Sequence, residues 1–373
     1  MNQVIYLDHN ATTPVMPAVS EIITKTLALG GNASSVHAAG RLARQKIEVA
    51  REMVAKLVGV SSLEVVFTSG GTEANNLVIN GIKCERILVS AVEHYSILDA
   101  RNNVEEVAVD ENGLIDLKDL EVRLDRNEGQ ALVSVMLANN ETGVIQPVAK
   151  VSEIAKKYGA LVHTDAIQAC GKIKIDKAML GADFISLSAH KIGGPQGVGA
   201  LIIDKEISLE ALMRGGGQER GQRAGTENLS GIAGFGVAAE AVEDLSHVDK
   251  IRELRDVLEK SIKQITPEIV IYGENVDRLP NTSCIFMPGV SSETQVMSFD
   301  LQGILISAGS ACSSGKIQAS HVLRAMGVEE GIAANVIRVS LGNGNTIQDV
   351  NDFVKEWKKI YTKVNTGSLV KVA

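Results

Sequence analysis

Two runs decide the fold: Leu161-Val-His-Thr-Asp165-Ala-Ile-Gln168 and Asp183-Phe-Ile-Ser-Leu-Ser188-Ala-His-Lys191-Ile-Gly-Gly194. Each opens as a nearly continuous apolar stretch, the pattern of a strand buried on both faces. Each then ends on a group of charged or polar residues. Outward from them the alternation continues. Strands are expected over Glu64–Thr68, Arg86–Ser90, Glu105–Val109, Ala131–Leu137 and Gly199–Ile203. Helical patterns such as Thr72–Ile82 and Val148–Tyr158 lie between them. Strand–helix alternation predicts an α/β fold with a mainly parallel sheet, helices on both sides and ligands at the carboxyl ends of the strands.

Beyond this block, the Ala- and Gly-rich stretch from Asn228 to Glu243 reads as a closely packed helix, and His247 to Ile265 as an amphipathic one. Strands over Ile269–Tyr272, Ser283–Met287, Ile304–Ser307 and Val336–Leu341 then mix with helices near Thr294–Leu301, Ser320–Met326 and Ile347–Lys363. This predicts a second, smaller α/β domain.

Composition narrows the function. The chain has 373 residues, 45% hydrophobic and 22% charged, with a formal net charge of −8 and 3% aromatics. An acidic, aromatic-poor chain is poorly suited to track a phosphate backbone or stack unpaired bases. No apolar run reaches 18 residues, and no secretory pattern is visible at the start. The four cysteines, Cys84, Cys170, Cys284 and Cys312, form no C-x-x-C pair. That speaks against a disulfide framework or zinc cluster and for a reducing, cytoplasmic setting. No histidine spacing suggests a metal.

Lys191 follows a buried strand and precedes a glycine-rich turn. A lysine among apolar strand ends can lose its proton and form a Schiff base, although a solvated loop lysine would have the same sequence. Asp165 sits just after the strand Leu161–Thr164, where a buried carboxylate needs a cationic partner; the protonated pyridine nitrogen of pyridoxal phosphate would be one. Phe67-Thr-Ser-Gly-Gly71-Thr72 turns a strand into a helix whose free N–H groups suit a phosphate. Its plain alternative is a helix cap with Thr72 at the N-cap. His94 follows another strand and could stack on a ring and move protons near neutral pH. Cys312 sits in Ser310-Ala-Cys-Ser-Ser-Gly315, where every neighbour is small, a composition suited to a reactive thiol. Cys284 falls in a strand pattern and should be buried. Cys170 should be structural and close to the site, and Cys84 falls in a loop where exposure is expected.

Together these segments resemble the cysteine desulfurases, the NifS/IscS-like branch of the class V aminotransferases. The resemblance runs from Tyr6-Leu-Asp-His-Asn-Ala-Thr-Thr-Pro14 through Thr68–Asn76, Asn139-Asn-Glu-Thr-Gly143, His163–Gln168 and Ser188–Lys191. It continues through Gly215–Asn228 and Ser310–Ser314 to Arg338-Val-Ser-Leu-Gly342. The chain departs at Ala33, where the family usually has Pro, and at His9, where it often has Asn or Tyr.

The resemblance implies a set of roles. Lys191 would hold pyridoxal 5'-phosphate, Asp165 would pair with its ring nitrogen and Gln168 with its ring hydroxyl, and His94 would stack on the ring. Thr72, Ser188, His190 and the Gly71 N–H would bind the phosphate. Thr226 would reach the phosphate of a neighbouring subunit, which implies a homodimer. Arg338 would clamp the substrate carboxylate, Asn140 would help hold that carboxylate or the cofactor's ring hydroxyl, and Cys312 would take sulfur from L-cysteine as a persulfide. The acceptor would be an iron–sulfur scaffold or a tRNA-thiolation relay. The implied domains are a large one over 15–246 and a small one made of 1–14 and 247–373, which carries the Cys312 loop. The competing readings are a selenocysteine lyase, another class V pyridoxal-phosphate aminotransferase, or a non-catalytic partner that kept the fold.

Overall fold

The computed structural model describes residues 4–126, 128–309 and 320–365. Its thirteen strands among these residues run β1 Ile5–Tyr6, β2 Val65–Thr68, β3 Arg86–Ser90, β4 Val104–Val107, β5 Ala131–Ser134, β6 Leu161–Asp165 and β7 Phe184–Ser188. They continue as β8 Gly199–Ile203, β9 Val270–Tyr272, β10 Thr282–Phe286, β11 Ile304–Leu305, β12 Ser307–Ala308 and β13 Val336–Ser340.

Strands β2 to β8 form one sheet in the order β2-β8-β7-β6-β5-β3-β4. Only β8 runs against its neighbours β2 and β7; the other pairs are parallel. The apolar runs read as strands are buried along their whole length in β2, β3, β5, β7 and β8. From β3 the chain goes outward to β4, then crosses back to β5, β6 and β7 on the other side. The order therefore switches direction between β3 and β5, and a crevice opens at the carboxyl ends of these strands.

Helix Leu229–Ala241 packs against helices Pro17–Leu27 and Ala38–Leu57. Its small residues let the backbones approach. A Cβ on Gly236 would lie 2.7 Å from Ala50 Cα, and one on Gly234 3.0 Å from Ile23. The second sheet, β12-β13-β10-β9, is antiparallel throughout. The amphipathic helix Val248–Ile265 covers it with Leu254, Leu258 and Ile262, which meet Phe353 and Trp357 of helix Ile347–Asn365. Leu7, next to the short β1–β11 pair, belongs to this second core rather than the first.

Three expectations change. The strand read over Ile304–Ser307 is two short strands in different sheets, because Ile306 turns into the second core between them. Helix Gly71–Gly81 begins one residue earlier than read, with Gly70 at the N-cap position, so Thr72 is not the cap. Cys84 is in a loop but buried, packed in the cluster with Ile82, Ile87 and Leu209. Burial pushes its thiol up to about 11. Cys170 and Cys284 are buried, as read. No described helix is long and apolar enough to cross a membrane.

Candidate active site

A cleft of about 340 Å³ lies at the switch point and collects Gly71, Thr72, His94, Asn140, Asp165, Gln168, Ser188, His190, Lys191 and Arg338. Asp165 ends β6. Ser188 ends β7, and the tight turn Ala189–Ile192 carries His190 and Lys191 onward. Arg338 comes from β13 of the second sheet, opposite Ser307 of β12. The segment Asn10-Ala11 crosses between the two sheets. A larger cavity of about 480 Å³ lies behind Lys191, lined also by Lys172, His9 and many apolar groups. It lacks Asp165, His94 and Arg338, so the smaller cleft holds the chemistry.

Lys191 Nζ donates to the backbone oxygens of Asn10, at 2.5 Å, and Ala11, at 2.8 Å. Among the described residues it has no ion-pair partner. Burial pulls its ammonium down to about 8, and the Arg338 charge adds to this, against the weaker opposing pull of Asp165 and Asp8. A neutral amine is therefore accessible near physiological pH.

Asp165 is buried. Its Oδ2 accepts from Asn75 Nδ2 at 2.7 Å and its Oδ1 from the Ile167 N–H at 2.9 Å. Burial still raises its carboxyl above the ordinary range. A cation placed against it would restore the charged form. Asn75 also donates to Ser96 Oγ at 2.8 Å. Ser96 Oγ lies 2.8 Å from His94 Nδ1, and the Ser96 N–H donates to the same nitrogen at 3.1 Å. His94 Nδ1 is therefore an acceptor, which puts the ring proton on Nε2. Burial lowers the His94 pKa, so the ring is neutral at pH 7.

Gly71 opens a helix whose first N–H groups have no intrahelical acceptor. A Cβ on Gly71 would lie 2.1 Å from Ile167 Cδ1, so a larger residue there would push the end of that side chain aside at the cleft floor. His190 Nδ1 lies 3.2 Å from Thr12 Oγ1, and burial lowers its ring to about 4. Arg338 Nη2 donates to Asp8 Oδ1 at 2.8 Å and Nη1 to the Asn140 oxygen at 3.1 Å. Of its five N–H groups three remain, including a buried Nε without a protein partner among the described residues. Asn140 Oδ1 is likewise buried and unpaired there. The lysine with its lowered pKa, the buried Asp165 on the floor, the open helix start and these orphaned polar atoms fit pyridoxal phosphate together with an amino-acid carboxylate.

Thr226 is not in this cleft. It is exposed, in a separate recess with Ser69 and Arg223. Cys312 lies outside the described residues. The sequence reading gave no role to Asn75, Ser96, Asp8, Asn10 or Lys172. A polar Asn75 on the buried face of a helix, between Ala74 and Leu77, was the one available signal. No cluster of three metal-ligating side chains exists among the described residues.

The family model "Aminotransferase class-V" matches residues 5–353. A protein of Sinorhizobium fredii named cysteine desulfurase is 44% identical over 364 residues, covering 93% of this chain and 94% of its own. A Dictyoglomus turgidum protein named cysteine desulfurase IscS is 39% identical, covering 99% and 97%. The crystal structure of a NifS-like protein from Rickettsia africae superposes with a TM-score of 0.89 at 40% identity, covering 96% of this chain and 100% of its own.

Proposed function

The chain belongs to the class V aminotransferase family, and from that premise we propose that it is a pyridoxal-phosphate-dependent cysteine desulfurase, turning L-cysteine into L-alanine and a protein persulfide. The observation that carries this reading is Lys191. Its amine has no carboxylate partner among the described residues and opens into a cleft floored by buried Asp165.

Bound pyridoxal phosphate supplies an electron sink at the substrate Cα. Lys191 would hold the cofactor and later take the Cα proton at Nζ, a role its lowered pKa suits. Asp165 would keep the ring nitrogen protonated, held in place by Asn75 and Ile167. Gln168 would donate to the ring hydroxyl. His94 would lie on the ring and offer Nε2–H to the reacting groups. Gly71, Thr72, Ser188 and His190 would hold the phosphate. The free N–H groups of Arg338, with Asn140, would bind the substrate carboxylate. The Cys312 thiolate would then attack the substrate sulfur. The new S–S bond forms as the Cβ–S bond breaks, and the carbon keeps the electron pair. The proton that Cys312 gives up is balanced by one taken at Cβ, so the exchange needs no outside oxidant.

The same reading makes the enzyme a cytoplasmic homodimer, in which Thr226 serves the partner's phosphate site. Exposure of Thr226 away from its own cleft supports this. It divides the chain into a large domain over 15–246 and a small one of 1–14 and 247–373. The placement of Leu7 in the second core supports that division. The sulfur acceptor would be an iron–sulfur scaffold or a tRNA-thiolation relay.

The test is anaerobic incubation with L-cysteine and a reductant, beside Cys312→Ser. Equal amounts of alanine and sulfide, both lost in the variant, are expected. Alanine or pyruvate still formed by Cys312→Ser would sink the role of Cys312 and move the enzyme to the lyase or aminotransferase reading.

A further inference from the structure

Gln168 carries an amide that could face the cofactor by either end. Only its NH2 end can donate to a ring oxygen, so something must fix which way it points. Lys172, four residues on in the same turn, does so in this structure. Its Nζ donates to Gln168 Oε1 at 3.1 Å, to the Gln168 backbone oxygen at 3.0 Å and to Asn10 Oδ1 at 3.4 Å. An ammonium has three donors and no acceptor, so it can face only the oxygen end of the amide. The nitrogen end is forced the other way, where Nε2 donates to the Asn10 oxygen at 2.9 Å. That same oxygen receives Lys191 Nζ. Gln168 Nε2 and Lys191 Nζ are thus set side by side at the cleft wall.

We propose that Lys172 is a positioning residue that locks the polarity of the Gln168 amide and so presents its N–H to the ring oxygen of bound pyridoxal phosphate. The inference rests on the role given to Gln168 above. Burial lowers Lys172 to about 7, with the Lys191 and Arg338 charges acting in the same direction and Cys170 against them. His9 also faces it, itself lowered to about 4 by burial and by Lys172. The lock requires the ammonium form, which the three oxygens around Nζ favour and which prevails below about pH 7.

The test uses holoenzyme carrying Lys172→Met, Gln168→Ala or both, and reads the pH midpoint of the bound cofactor's visible absorption and the Kd for pyridoxal phosphate. Loss of a donor to the ring oxygen raises that midpoint. Gln168→Ala should raise it by roughly half a pH unit or more. Lys172→Met should reproduce most of that rise, add little to Gln168→Ala, and be partly reversed by Lys172→Arg, which also has donors only. An equal rise from Lys172→Met with and without Gln168 would mean that Lys172 acts as a bare charge, and would overturn the proposal. So would an unchanged midpoint in Lys172→Met while Gln168→Ala shifts. A null effect of Gln168→Ala itself would remove the Gln168 reading, and this inference with it. Should Lys172→Met fail to fold, Lys172→Gln, neutral and able to face either amide end, replaces it with the same expected rise.

Discussion

Two lysines occupy opposite ends of the same sheet. Lys177 lies beneath the amino ends of the parallel strands, and its Nζ donates to Glu64 at 2.8 Å and Asp204 at 2.9 Å. Lys191 lies above the carboxyl ends and, among the described residues, donates only to backbone oxygens. Both lose water. At Lys177 burial works against the charge, but the two carboxylates win and hold it above ordinary lysine. At Lys191 burial prevails, with Arg338 adding to it, and the pKa falls to about 8. Burial alone therefore does not make a reactive amine. What matters is which partners the fold supplies, and the fold withholds a carboxylate partner at the end where the strand order switches.

The sharpest break between the two ends is in activity. Lys191→Ala should lower desulfuration by about 10⁴-fold or more, since it removes both the covalent anchor and the proton acceptor. The protein should remain folded, and its visible absorption should no longer show covalently held cofactor. A variant that keeps more than a few per cent of activity would return Lys191 to the class of solvated loop lysines. Next comes Arg338→Lys. Lysine cannot copy the planar fork, so kcat/KM for L-cysteine should fall roughly a hundredfold. The loss should appear chiefly in KM if the contact is carboxylate binding held through the reaction. A loss confined to kcat would point to a role in chemistry instead.

Lys177→Met should act at the other end only. It strands the half-buried Glu64 carboxylate and should cost about 2 to 3 kcal/mol of stability, at or below the low end for a broken buried pair because Glu64 is only partly buried and Asp204 is partly open to solvent. Denaturant midpoints should move while the cofactor spectrum of the folded fraction does not. A changed spectrum would mean that the two ends are coupled through the sheet.

The sequence made much of this legible, for a physical reason. Strands buried on both faces must be apolar throughout, so β3, β7 and β8 could be read to within a residue. Groups at the carboxyl ends of such sheets sit just past the strand ends, so it was legible from their order that Asp165, Lys191 and His94 share one cleft. Asp8 and Asn10 could not be read so. Their partners Arg338 and Lys191 are set by how the N-terminal segment crosses between two sheets, and local pattern carries no trace of that crossing. Cys84 failed differently. A loop residue was expected to be exposed, but this loop folds back onto Ile87 and Leu209.

The smallest effect separates the lysines by sign. Stability rises with pH wherever the unfolded chain binds more protons than the folded one. Lys191 titrates near 8 when folded and near 10.5 when unfolded. Between those values the unfolded chain holds the extra proton, so Lys191 makes the cofactor-free protein more stable as pH rises. Lys177 is raised above 10.5. Its contribution is fully present below that value and is lost as pH climbs through its folded pKa. Unfolding of cofactor-free Lys191→Met, compared with wild type between about pH 8 and 10.5, should therefore show a shallower rise or a steeper fall. Lys177→Met should track wild type in its slope over that window and differ only by an offset. The same titration sets the chemistry, because the neutral amine captures the cofactor. Uptake of pyridoxal phosphate should accelerate with pH around a midpoint near 8, and Arg338→Gln, by removing a nearby positive charge, should move that midpoint upward. A midpoint unmoved by Arg338→Gln would leave burial as the sole cause and remove Arg338 from the account of why this lysine is reactive.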